Sequence, residues 1–137
     1  MKIFFTGSMS GGRMHQPAYE VIIAKLQEYG EVTGGAHVAS KEISQYGETE
    51  LSREEIHDRE IQSVDEADVV VADVSSPSFG VGYLVCYASM KNKKIICLSR
   101  GPNTYKLSAM IKGDGKVKVF SYEYDDEISK ILEENLK

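Results

Sequence analysis

The chain has 137 residues, of which 42% are hydrophobic and 27% charged, and its formal net charge is −5. This length and composition predict one globular domain over residues 1–137. The negative charge argues against nucleic acid or an anionic membrane as a partner. No apolar run approaches the roughly 20 residues of a membrane span, so we expect a cytoplasmic protein. Cys86 and Cys97 lack metal-type spacing, and we expect both in a reduced core.

The first predicted strand, Ile3–Thr6, runs into a loop of glycine and serine, Gly7–Gly12. Such a loop lets the backbone approach a phosphate closely, with Ser8 and Ser10 as hydroxyl donors. It matches neither the Walker pattern nor a dinucleotide fingerprint, and a plain strand-to-helix turn is an equal alternative. A helix follows, from about Ala18, and Gly30 is placed to end it.

The second predicted strand covers Val32–Thr33, with an extension to Val38 as an alternative. His37, which comes after Val32–Thr33, could contact a base or sugar. A capping box that begins at Ser52 then opens a helix that reaches about Glu66. Ile56, Glu60 and Val64 are spaced four apart and so share one face of this helix. The Glu60 carboxylate therefore either points into a site or lies at its edge and reaches water.

The third predicted strand, Val69–Val74, is almost entirely apolar, which is typical of a parallel strand buried on both faces. The loop Ser75–Ser78 follows it, and a helix is predicted from Gly82 to about Met90. This arrangement presents backbone amides and the positive end of a helix to an anion, although a simple helix cap is the alternative. Asp73, near the end of the strand, either faces a ligand or hydrogen-bonds the loop.

Two further strands, Ile95–Leu98 and Val117–Phe120, precede a last helix that starts at Asp125 or Asp126. Strands that alternate with helices predict a doubly wound α/β sheet of about five parallel strands. Ligands bind such sheets beyond the carboxyl ends of the strands, where both serine and glycine loops begin. The two loops together indicate a phosphorylated small molecule as the ligand.

Several ordered segments also resemble one enzyme family, the 2'-deoxynucleoside 5'-monophosphate N-glycosidases (N-hydrolases) of the nucleoside 2-deoxyribosyltransferase superfamily. The segments that support the resemblance are Phe5–Ser8 with Gly11–Arg13, His37–Ala39, Ala67–Ala72, Pro77–Tyr83 and Leu107–Gly113. The resemblance implies a flavodoxin-like three-layer fold, a homodimer, and no metal or cofactor. It also implies cleavage of the N-glycosidic bond of deoxynucleoside 5'-monophosphates, which yields deoxyribose 5-phosphate and free base.

The resemblance also assigns the site residues. It implies that the sugar-phosphate is lined by Gly7, Ser8, Met9, Ser10, Gly11 and Gly12, and that the phosphate is held by Ser78 and the amides of Gly80 and Gly82. Tyr19 and His37 match positions near the nucleotide, and Glu60 matches an acidic residue, usually Asp, that supports the reaction. The segment Ser108, Ala109 and Met110 is expected to complete the site of the partner subunit.

Three positions depart from the family pattern. The family's nucleophilic Glu follows the Gly-Val-Gly-Tyr segment, where this chain has Leu84, and Phe4 stands where relatives can carry a tyrosine. Ser10 replaces a residue that is often basic. A retaining glycosidase needs a carboxylate to trap the sugar carbon, and leucine cannot supply one.

Three functions therefore stay open. The first is an N-glycosidase in which Glu60 or Asp73 activates water directly. The second is a catalytically silent protein that binds or senses nucleotides. The third is an N-glycosidase for a different phosphorylated N-glycoside, with Leu84 packed against a less polar substrate.

Overall fold

The computed structural model describes residues 1–8, 16–34, 51–101 and 107–137. Within these ranges the strands are β1 Lys2–Thr6, β2 Glu31–Thr33, β3 Val69–Asp73, β4 Lys94–Arg100 and β5 Val117–Tyr122. The helices are α1 Gln16–Leu26, α2 Arg53–Glu66, α3 Phe79–Met90, α4 Ala109–Lys112 and α5 Asp125–Leu136. None of the helices in the described ranges is long and apolar enough to cross a membrane.

The strands form one parallel sheet in the order β2-β1-β3-β4-β5. This order confirms the predicted doubly wound, flavodoxin-like fold. The chain turns to one side of β1 to form β2 and to the other side to form β3, so the order reverses between β1 and β3. Thr6 and Ala72 pair at the ends of these two strands. The loops after β1 and β3 therefore leave the sheet side by side.

The two faces of the sheet bury different clusters, because successive side chains of a strand point to opposite faces. The face covered by α1 and α5 (the α1/α5 face) buries Phe5, Val71 and the two tyrosines Tyr19 and Tyr122. The face covered by α2 and α3 (the α2/α3 face) buries Phe4 from β1, Val70 and Ala72 from β3, Val64 from α2 and Leu84 from α3.

The starts of α2 and α5 agree with the predicted ones, whereas α1 ends at Leu26 rather than at Gly30, and the short helix α4 was not predicted. A Cβ on Gly30 would lie 2.2 Å from the Met1 carbonyl oxygen, so packing rather than a helix cap requires glycine there. In α2, the Ser52 hydroxyl accepts the Glu55 amide at 3.1 Å, and the Glu55 carboxylate accepts the Ser52 amide at 3.2 Å. The predicted capping box is therefore confirmed. Helix α3 starts at Phe79 rather than at Gly82, because the Ser78 hydroxyl accepts the Val81 amide and caps the helix earlier. Cys97 is buried as expected, whereas the expectation for Cys86 was wrong, since it is exposed on α3.

Candidate active site at the carboxyl edge of the sheet

The loop after β1 is held by a hydrogen bond to Tyr19 of α1, on the α1/α5 face. The Ser8 amide donates to the Tyr19 phenol oxygen at 3.1 Å, and both residues are fully buried. A Cβ on Gly7 would lie 2.8 Å from the Tyr19 ring, so the ring requires glycine there. The Ser8 hydroxyl is buried and has no hydrogen-bond partner among the described residues. The predicted site residues Met9–Gly12 and His37 lie outside the described ranges.

The loop after β3 is held by Asp73, which is fully buried. One carboxylate oxygen accepts the Ser75 amide at 2.9 Å, and the other accepts the Tyr122 hydroxyl at 2.8 Å. Burial, and then the charge of Asp73, raise the pKa of the Tyr122 hydroxyl above its ordinary value. The Ser75 hydroxyl in turn accepts the Arg100 amide at 2.8 Å. Asp73 thus ties together the ends of β3, β4 and β5.

The amino end of α3 has the features of an anion site. The first amides of a helix lack partners within the helix, and the helix dipole favours negative charge there. A Cβ on Gly82 would meet no atom within 4 Å, and one on Gly80 would meet only the Ser78 hydroxyl, at 3.9 Å. These glycines leave open space beside the amides. The hydroxyl of Ser76, which the sequence reasoning did not single out, is buried there without a partner among the described residues.

A cavity of about 1220 Å³ opens between α3 and α4 at the same edge. Its walls include Ser76, Ser78 and Gly82 on one side and Ser108, Ala109 and Met110 on the other. The other described site residues are not part of its walls: Gly7, Ser8, Tyr19, Glu60, Asp73, Gly80 and Leu84. The cavity therefore contains the candidate phosphate end of the site, while the acidic residue lies away from it, on the other side of α3.

Glu60 lies on the α2/α3 face, one helical turn before the buried Val64. Its side chain is nearly buried, at 8% residue exposure, and one carboxylate oxygen accepts from the Arg59 guanidinium at 3.2 Å. Asp73 points instead to the α1/α5 face, where its partner Tyr122 packs. Glu60 and Asp73 are the buried carboxylates among the described residues, and the sheet separates them.

Leu84 is the position to which the resemblance assigns the nucleophile. It is 8% exposed and belongs to the same apolar cluster as the fully buried Phe4. Neither side chain can donate, accept or attack. Within the described ranges, no group of three or more His, Cys, Asp or Glu side chains is arranged to hold a metal ion.

The Ser108 segment begins α4. The Ser108 hydroxyl accepts the Met110 amide at 3.2 Å, and Met110 is largely exposed. On the neighbouring α3, Phe79, Tyr83 and Met90 are also exposed large side chains. Phe79, Tyr83 and Met90 form one apolar stripe on α3, because residues four and seven apart lie on the same side of a helix.

Comparison with known proteins agrees with this fold. No protein-family profile matches the chain. A relative from Danio rerio named 5-hydroxymethyl-dUMP N-hydrolase is 42% identical over 136 residues, which cover 98% of this chain and 94% of the relative. The Homo sapiens protein of that name is 39% identical over 135 residues, which cover 96% of this chain and 76% of that protein.

A solved structure, the CMP N-glycosidase of Clostridium botulinum, has the same fold. It aligns with a TM-score of 0.64 at 19% identity and covers 97% of this chain and 98% of its own. Because the identity to the N-hydrolases is high over nearly the whole chain, the protein belongs to the 2'-deoxynucleoside 5'-monophosphate N-glycosidase (N-hydrolase) family.

Proposed function

We propose that this protein binds nucleoside 5'-monophosphates and hydrolyses their N-glycosidic bond by direct attack of water, with Glu60 as the acid–base group. The observation that supports this proposal best is the pair of substitutions on the α2/α3 face. Leu84 removes the nucleophile of the retaining mechanism, whereas Glu60 keeps a nearly buried carboxylate on the same face. The names of the relatives support the substrate class.

The hydrogen bonds of Asp73 favour Glu60 as the acid–base group. Both Asp73 oxygens already accept hydrogen bonds, from Ser75 and Tyr122, and the residue has no exposed surface. A general base must reach the water whose proton it takes. In this proposal Asp73 orders the loop after β3, and Glu60 faces the substrate.

The reaction then needs no covalent intermediate. The bond between the sugar C1' and the base nitrogen breaks, and its electron pair leaves with the base, which takes a proton from solvent. Water attacks the oxocarbenium-like C1' and gives a proton to the Glu60 carboxylate, which later releases it. The products are deoxyribose 5-phosphate and free base. Such an inverting or dissociative route needs room for a water between the carboxylate and the sugar.

The phosphate is proposed to bind at the amino end of α3. The Gly80 and Gly82 amides would face it across the open space beside them. The Ser76 hydroxyl, which lines the same cavity as Gly82, has no partner among the described residues and would donate to it. Because the net charge of the protein is −5, local donors rather than a basic surface must hold the phosphate. The Ser8 hydroxyl would contact the sugar-phosphate from the neighbouring loop.

Release of free base from a panel of deoxy- and ribonucleoside 5'-monophosphates, followed by chromatography, tests the proposal. We expect slow release by the unmodified protein and a loss of about 100-fold or more in Glu60→Gln. Glu66→Gln is the matched control, since Glu66 is an exposed carboxylate at the end of the same helix. Equal rates for Glu60→Gln and the unmodified protein would exclude Glu60 as the acid–base group.

Binding without turnover is the second candidate, and the burial of Leu84 beside Phe4 favours it. Removal of a nucleophile commonly costs several orders of magnitude in rate. Nucleotide binding measured by calorimetry, with no base released over many hours, would support this candidate and contradict the hydrolase. A family substrate that fails to bind while another phosphorylated N-glycoside reacts would indicate a changed substrate.

We also propose that the protein forms a homodimer through the apolar stripe of Phe79, Tyr83 and Met90 on α3 together with Met110. Exposed apolar patches of this kind are typical of interaction surfaces. The Ser108 segment adjoins the stripe and would complete the partner's site. Light scattering after size exclusion should give a dimer for the unmodified protein and a monomer for Met90→Glu. A monomeric unmodified protein would overturn this part of the proposal.

A further inference from the structure

Tyr19 has an unusual place beneath the loop after β1. Its ring is fully buried and packs edge-on against Phe5, with 5.8 Å between the ring centroids. On its other side the ring occupies the space that a Cβ on Gly7 would need. The ring therefore has little freedom to move, and its phenol oxygen has a fixed position under the loop.

That oxygen accepts the amide of Ser8 at 3.1 Å. Backbone amides in a glycine-containing loop are the usual donors to a phosphate. In this loop the Ser8 amide is already used inside the protein, so it does not point at a ligand. The Ser8 hydroxyl, in contrast, is buried and lacks a partner among the described residues. A buried hydroxyl without a partner costs free energy, which a ligand that accepts its proton would recover.

We infer that Tyr19 is a positioning residue for nucleotide binding: it holds the Ser8 amide so that the Ser8 hydroxyl, rather than the amide, is presented to the sugar-phosphate. This inference rests on the proposed function and adds to it a role for Tyr19 that acts through Ser8. The resemblance to the family places Tyr19 near the nucleotide. The full burial of the ring indicates that its effect on the nucleotide is indirect.

The test combines two readouts on the full chain. Calorimetry with dUMP gives the Kd of the unmodified protein, Tyr19→Phe, Ser8→Ala and the double variant. We expect each single variant to bind about tenfold more weakly, and the double variant to bind no more weakly than the weaker single variant, because Tyr19 acts through Ser8. Tyr29→Phe is the control, since Tyr29 packs against the same cluster outside the loop, and its Kd should be unchanged.

Hydrogen exchange of the Ser8 amide, followed by NMR in the protein without ligand, gives the second readout. We expect exchange to be faster in Tyr19→Phe and unchanged in Tyr29→Phe. A double variant whose loss of affinity equals the product of the single losses would overturn the inference, since Tyr19 would then contact dUMP independently. Unchanged Ser8 exchange in Tyr19→Phe would also overturn it.

The failure of the proposed function has a different signature. If the unmodified protein binds neither dUMP nor any other nucleoside monophosphate, the proposed function falls and the ligand part of this inference falls with it. If the unmodified protein binds dUMP and Tyr19→Phe binds it equally well, only the inference is wrong.

Discussion

In the loop after β1, glycine is required by packing within the protein, whereas at the start of α3 glycine leaves space outside it. A Cβ on Gly7 would meet the Tyr19 ring at 2.8 Å, but a Cβ on Gly82 would meet nothing within 4 Å. Glycine is therefore found at this edge of the sheet for two different physical reasons. The space beside Gly82 is open, whereas the space beside Gly7 is filled by the Tyr19 ring.

The two loops are nonetheless anchored in related ways. Each is tied to a buried tyrosine hydroxyl on the α1/α5 face, Tyr19 for the first loop and Tyr122 for the second. Tyr19 acts as an acceptor for a backbone amide, and Tyr122 acts as a donor to the Asp73 carboxylate. The anchors lie on one face and Glu60 on the other, so anchoring and chemistry can be perturbed separately.

Alkaline pH should have the largest effect on stability, through the buried thiol of Cys97 on β4, the strand beside β3. Burial, and then the charge of Asp73, raise the pKa of the Cys97 thiol from 9.0 to about 12. A raised pKa means that folding favours the neutral thiol, so its contribution to stability is full below pH 9 and is lost as pH rises toward 12. The stability advantage of the unmodified protein over Cys97→Ala should shrink by about 1.4 kcal/mol per pH unit between pH 9 and 11. Urea unfolding of both proteins at several pH values measures this change. A difference in the free energy of unfolding that stays constant with pH would contradict the prediction.

Tyr122→Phe should destabilise the protein by about 2 kcal/mol, because a buried carboxylate loses one of its donors. Tyr124→Phe is a suitable control, since Tyr124 is an exposed tyrosine that follows the same strand, and its change should be close to zero. Urea unfolding at neutral pH gives both values. Equal stability of the two variants would show that the hydroxyl of Tyr122 does not support Asp73.

Gly7→Ala should cost about 1–2 kcal/mol, because the new methyl group must displace the buried Tyr19 ring. The control is Gly115→Ala, a glycine whose added Cβ would meet no atom within 4 Å. If Gly7→Ala were as stable as the unmodified protein, the Tyr19 ring would be able to move aside at no cost. Packing would then not explain the glycine in the first loop.

Gly82→Ala should give the smallest change in stability, and with the opposite sign. Alanine is favoured over glycine inside a helix by about 1 kcal/mol, and the added methyl group meets no neighbour. The same methyl group should weaken dUMP binding, since it occupies the space assigned to the phosphate. Calorimetry and urea unfolding on one preparation separate the two effects. A loss of stability, or unchanged affinity, would contradict the role given to this space.

Local patterns in the sequence were sufficient to predict the sheet and the cap of α2. The apolar run at Val69–Val74 predicted a central parallel strand, and the Ser52 capping box predicted the start of α2. The early start of α3 was missed because Gly80 and Gly82 are typical of a loop, and the effect of the Ser78 cap outweighs them.

The anchors of the two loops could not be predicted in this way. Tyr122 lies 49 residues from Asp73 and Tyr19 lies 11 residues from Ser8, so both contacts depend on the packing of separate elements. The sequence left open whether Asp73 faces a ligand or the loop, and only the positions of Tyr122 and Ser75 give its hydrogen bonds. Helical spacing predicted that Glu60 shares a helix face with Val64, which is fully buried, but it left open whether the carboxylate points into a site or reaches water.

The central claim is that this protein cleaves the N-glycosidic bond without a covalent intermediate. Intact-protein mass spectrometry of the enzyme, quenched during turnover of a deoxynucleoside 5'-monophosphate, tests it directly, with free base quantified in the same sample. The account predicts released base together with a protein of unchanged mass. A protein heavier by one deoxyribose 5-phosphate, or the absence of any released base, would contradict it.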